Sequence, residues 1–157
     1  MGSRRRGREA ALQALYQLDL NPGLTAEQAL AHVFETFGRG EPQSGPVSVS
    51  PREALPDWDA EQRMFAGRLV AGVTEARERI DGILAQASTH WRLDRMAAVD
   101  RNLLRLAVHE LLCEADIPTS VTIDEAVEIA KRYGTAESPA FVSGVLHRVA
   151  TDIKERP

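Results

Sequence analysis

Residues 97–114 read AAVDRNLLRLAVHELLCE. Val99, Leu103, Leu104, Leu106, Ala107, Val108, Leu111 and Leu112 cover most of a helical circumference. A helix that is apolar nearly all round lies at the centre of a helical core. On this helix the spacing predicts His109 as a polar residue at the edge and Cys113, beside Leu111 and Leu112, as a core thiol.

Working outward toward the C-terminus, Pro118 breaks the chain and Thr122-x-x-Glu125 reads as a capping box. Ile123, Ala126, Val127, Ala130 and Tyr133 form the next buried stripe, which Gly134 stops. Ser138 as cap, with Pro139 at the first helical position, opens a last helix packed through Val142, Val145, Leu146, Val149 and Ile153.

Toward the N-terminus, Asp57 or Asp59 starts one long helical region with Phe65, Leu69, Val73, Ile80 and Leu84 at helical spacing. Within it, Gly67, Gly72 and Gly82 mark close helix contacts. Residues 38–57 hold Pro42, Pro46, Pro51 and Pro56 among Gly and Ser, which predicts a loop or flexible insertion. Before it, Thr25 with Glu27 and Gln28 caps a helix whose stripe is Ala29, Leu30, Val33, Phe34 and Phe37. The first helix runs from Arg5 to Leu18, with Ala11, Leu12, Leu15 and Leu18 on one side and Arg6, Glu9, Gln13 and Gln17 on the other. Strand signals are almost absent and no fixed-period repeat occurs, so the 157 residues predict one all-α domain, 1–157.

Composition narrows the function. With 43% hydrophobic and 27% charged residues the chain has ordinary globular usage, which excludes wholesale disorder. The single cysteine excludes an intramolecular disulfide and a multi-cysteine zinc site, and suits a reducing cytoplasm. No stretch approaches the ~18 to 20 unbroken apolar residues of a membrane helix, so no membrane partner is expected. Glu9, Gln13, Gln17 and Asp19 interrupt what would otherwise resemble a signal peptide, so the start reads as mature sequence. The histidines at positions 32, 90, 109 and 147 lie apart, and neither H-E-x-x-H, G-x-S-x-G, a phosphate loop nor a dinucleotide fingerprint occurs. The expectation is no catalysis, no metal and no cofactor.

The net charge of −4 hides an asymmetry: residues 1–8 hold Arg4, Arg5, Arg6 and Arg8 with no acid, so the remaining body carries −8. Guanidinium groups around a helix start suit phosphate contacts and base stacking. On the last helix, Phe141 flanks the buried stripe beside Gly144 and Arg148, where it either receives an unstacked base or folds inward against a neighbouring helix. Tyr133 continues a buried stripe, with its hydroxyl near a helix end.

The run from Arg4 to Tyr16 resembles the start of the NusB family of bacterial transcription antitermination factors. Val99–Ala107, Glu110-Leu111, Ile117-Pro118, Ile123–Lys131 and Ser138–Leu146 follow in that family's order, and only residues 21–60 depart from it, being longer here than in compact members. The resemblance implies an all-helical fold of two small helical bundles, about seven helices. It implies binding to single-stranded boxA RNA of ribosomal RNA leader transcripts, pairing with NusE, a small-subunit ribosomal protein, and membership of an RNA polymerase complex that reads through terminators. It implies no reaction, and a monomer or a homodimer, since the family holds both.

Carried onto this sequence, the RNA-binding positions are Arg4, Arg5, Arg6, Arg8, Tyr16, Tyr133 and Phe141. The NusE-binding acid falls on Asp100 and a modulating acid on Glu137, where the family often has Asp. Two other readings compete: a helical interaction module without RNA, and an accessory domain like that of ribosomal RNA cytosine methyltransferases. The second is disfavoured because a chain of 157 residues leaves no room for a cofactor-binding α/β domain.

Overall fold

The computed structural model describes residues 2–36, 58–88, 91–114 and 116–155. The described residues form seven α-helices, one 3-10 turn and no strand: α1 (Gly2–Leu20), α2 (Ala26–Thr36), α3 (Ala60–Glu75), α4 (Arg77–Ala87), the turn Leu93–Arg95, α5 (Ala98–Cys113), α6 (Thr119–Tyr133) and α7 (Ser138–Glu155). The expected insertion at 38–57, the start at Asp57, Phe37 and His90 lie outside the described residues. The chain divides into two units, residues 1–70 and 71–157, with the boundary inside α3.

Two helix starts follow local side-chain chemistry. In α2 the Gln28 N–H donates to Thr25 Oγ1 at 3.1 Å and the Thr25 N–H to Gln28 Oε1 at 2.9 Å. In α3 the Gln62 N–H donates to Asp59 Oδ1 at 2.8 Å and the Asp59 N–H to Gln62 Oε1 at 3.0 Å. Both are reciprocal capping boxes that satisfy donors a helix cannot pair internally.

Two other caps are corrected. Residue Thr122 lies inside α6, which starts at Thr119 after Pro118, because the proline sets an extended N-cap whose carbonyl accepts the Val121 and Thr122 N–H groups. Ser138 is the first residue of α7 rather than the residue before it, and its Oγ accepts the Thr135 N–H at 3.0 Å. The expected long helix is two, α3 and α4, separated at Ala76.

In the first unit α1 packs on α2, and it meets α3 where Gly7 leaves room. A Cβ on Gly7 would stand 2.9 Å from Phe65 Cδ2, so no larger residue fits without moving that ring. Ala10, Ala11, Ala14 and Leu15 are buried, and so are Arg6 and Glu9 of the expected polar face.

In the second unit α5 packs against α4, α6 and α7, and α6 packs against α7. Leu103, Leu104, Leu106, Ala107 and Val108 are buried, so α5 is the central helix of this unit. His109 is buried, not at the edge: its imidazole lies against Gly72, in the space a Cβ there would fill. Cys113 is exposed rather than in the core, because it is the last residue of α5. Neither Gly67 nor Gly82 marks a close contact. One buried ion pair ties α5 to α4: Arg105 Nε and Nη2 donate to Asp81 Oδ1 and Oδ2 at 2.8 and 3.1 Å, and Arg105 Nη1 donates to Asn102 Oδ1 at 3.1 Å.

Candidate nucleic-acid interface

The four arginines near the start lie on α1, so the arm is helical. They are not equivalent. Arg5 is exposed and Arg4 half-buried, whereas Arg6 and Arg8 are only 8% and 3% exposed. Arg6 lies over Trp58, its Cζ 4.0 Å from the ring centroid, and its Nη1 donates to Gln62 Oε1 at 3.5 Å. The aromatic ring of Phe65 collects three guanidinium groups, those of Arg4, Arg8 and Arg68, at 5.3, 5.5 and 5.2 Å. Trp58 meets Phe34 edge-on at 5.5 Å, and Arg63 lies over Phe34 at 5.0 Å. Stacking on aromatic faces orients guanidinium planes while leaving their edges available as donors.

Beside this cluster is a hollow of about 320 Å³ lined by Arg4, Glu61, Met64, Phe65 and Arg68. Arg68 is a cation that sequence reasoning missed, since a lone arginine on a helix carries no local signal. Tyr16, on the same helix as the arm, is 38% exposed.

The other predicted residues belong to the second unit. Half-buried Tyr133 ends α6 with the Arg132 guanidinium 5.6 Å from its ring centroid. Phe141, in the first turn of α7, is also half-buried and meets Trp91 edge-on, centroids 5.9 Å apart and planes at 75°. Asp100 sits in the first turn of α5, where an acid complements the helix dipole; its Oδ1 is buried with no hydrogen-bond partner among the described residues. Glu137 is exposed in the turn before α7, its N–H donating to Thr135 Oγ1 at 3.3 Å and its carbonyl accepting the Phe141 N–H at 3.2 Å.

Among the described residues no group of three or more His, Cys, Asp or Glu side chains could hold a metal ion, and no helix is long and apolar enough to cross a membrane. The arrangement offers cations and aromatic faces, which suit a flat, anionic ligand.

Solved structures with this arrangement of helices include antitermination factors. A NusB from T. maritima is 38% identical, with a TM-score of 0.76 over 95% of this chain and 91% of its own. A crystal structure of antitermination factors NusB and NusE in complex with dsRNA is 25% identical, with a TM-score of 0.76 over 97% of this chain and 98% of that one. The transcription antitermination protein NusB of Myxococcus xanthus is 44% identical over 155 residues, 99% of both chains, and that of Sorangium cellulosum 44% over 153 residues, 98% of this chain and 95% of its own. The NusB family model matches residues 5–151, and the chain belongs to the NusB family.

Proposed function

We propose that this protein is an RNA-binding antitermination factor. With NusE it binds single-stranded boxA RNA in ribosomal RNA leader transcripts and helps RNA polymerase pass terminators. It does so in the cytoplasm, without catalysis, with residues 1–157 working as one NusB domain. The observation that carries the reading is the arginine cluster on α1, oriented on the rings of Trp58 and Phe65 with Arg5 exposed. Arg4 and Arg5 contact phosphates. Arg6 and Arg8 serve RNA binding by fixing the helix start on the rings of Trp58 and Phe65, which sets where Arg4 and Arg5 stand. Tyr16, Tyr133 and Phe141 receive bases, which favours a single strand because bases inside a duplex cannot stack on side chains. Asp100 meets NusE and Glu137 modulates the assembly.

The test is the affinity of the protein for boxA RNA, a scrambled strand and a duplex, with and without NusE, at several salt concentrations. The expected result is selective binding to boxA that NusE tightens and salt weakens. Arg5→Ala should reduce the slope of log affinity against log salt by about 0.7, the value of one phosphate contact on a single strand, with melting unchanged. An unaltered affinity and slope would make the protein a helical interaction module instead. Asp100→Lys should weaken NusE association more than RNA binding by the protein alone, because it reverses a charge facing a basic partner. An unchanged NusE titration removes Asp100 from that surface.

A further inference from the structure

Trp91 is 60% exposed, although tryptophan is on average among the more buried residues. Nothing in the periodicity of the helices singles it out, because it precedes the turn Leu93–Arg95 instead of lying on a helix. The Trp91 N–H donates to the Ser88 carbonyl at 3.1 Å, and Ser88 Oγ donates to the Leu84 carbonyl at 2.6 Å. On the other side, Arg101 Nη1 donates to the carbonyls of Leu93 and Met96 at 3.2 and 3.0 Å, fastening the turn to α5. The indole is therefore an exposed aromatic surface beside a hydrogen-bonded turn, meeting Phe141 at 75°.

Two rings near a right angle make a corner in which a flat group stacks on one ring and meets the edge of the other. In the turn beside it Arg92 pairs with Asp94 at 3.4 Å and Arg95 is exposed, so the turn itself carries one net positive charge, while exposed Glu137 stands one helical turn before Phe141. A nucleic-acid strand supplies both the flat group and the negative charge.

We propose that Trp91 and Phe141 form a binding corner for one unpaired nucleobase of the RNA, with Trp91 as a stacking platform additional to the residues named above. This rests on the RNA-binding reading of the protein and extends it to a residue outside the arginine arm. The contact with Phe141 gives the corner its value, because the two rings already meet in the free protein.

The experiment uses the full chain and its own fluorescence. Of the two tryptophans, Trp58 is buried and Trp91 exposed, so acrylamide quenching reports mainly on Trp91. Saturating single-stranded boxA RNA should quench the emission and protect it from acrylamide, and a duplex of the same length should not. Trp91→Ala should abolish the response and weaken binding about 5- to 150-fold, the range for one lost base stack. Trp91→Phe, which keeps an aromatic face, should recover most of the affinity. Wild-type binding with no change in emission, together with full affinity in Trp91→Ala, overturns the corner and leaves the RNA-binding reading intact. If Trp91→Ala fails to fold, the emission and protection measured on the wild type decide alone. No RNA binding by the wild type overturns both. An emission change caused by NusE without RNA overturns the corner in favour of a protein contact.

Discussion

Asp81→Ala lowers the unfolding free energy by about 2 to 3 kcal/mol, somewhat less than the ~3 to 5 kcal/mol expected for breaking a fully buried ion pair. Arg105 is buried on the central helix and Asp81 accepts two of its N–H groups from α4. Removing the acid takes two charge-assisted hydrogen bonds from a buried guanidinium that keeps its bond to Asn102 Oδ1, and losing such bonds in a buried setting is costly. The Asp81 side chain is 27% exposed, so water enters the gap and moderates the loss. Asp81 also lies 3.8 Å from Arg77, but that pair is exposed and contributes little. Urea titration is the measurement: the midpoint should fall with the slope unchanged, and melting should drop by roughly 5 to 10 °C for a chain of this size. Asp81→Asn, which keeps an acceptor, should cost less. A midpoint within experimental error of wild type would make the pair a solvated contact rather than a tie between α4 and α5.

The same residues show how far a sequence window reaches. Six helical segments, the central position of α5 and the cap at Thr25 are legible, because each rests on residues three to four positions apart, whereas the break at Ala76 that makes α3 and α4 two helices is not. Gly72 opens a slot for His109 from 37 positions earlier, and that pairing belongs to tertiary packing rather than to α5 itself. Arg6 was assigned to a polar face because charge predicts solvent; what buries it is Trp58, which lies 52 residues downstream and supplies a ring for the guanidinium to stack on. Cys113 carries the apolar neighbours of a core residue but sits where the helix ends. Thr122 matched a capping pattern while Pro118 had already begun the helix. At the candidate site, residue types were legible and their division of labour was not. Four arginines near the start read alike in sequence, and the structure separates the exposed Arg5 from the stacked Arg6 and Arg8. Trp91 carries no signal in the sequence, because a residue between helices has no period to violate.

Phe141→Ala should weaken binding to single-stranded boxA RNA by about 1 to 3 kcal/mol, or roughly 5- to 150-fold, the usual loss for one base stacked on an aromatic ring. The protein should stay folded, because Phe141 is half-buried and flanks the stripe of Val142, Val145, Leu146 and Val149 that fixes α7 in the core. Its contact with Trp91 is a single edge-on pair, worth about 0.5 to 1.5 kcal/mol, so melting should shift modestly. The salt slope should hold, since no phosphate contact is removed, and this separates the variant from Arg5→Ala, which changes the slope. Phe141→Leu keeps an apolar group while removing the π face, and it should lose nearly as much affinity as alanine if stacking is the source. Equal RNA affinity in Phe141→Ala, or a collapsed melting transition, would assign the ring to packing instead. Because Phe141 and Trp91 meet edge-on, a shared base makes their losses interdependent: the double alanine variant should lose less than the sum of the two single losses, whereas independent platforms would simply add.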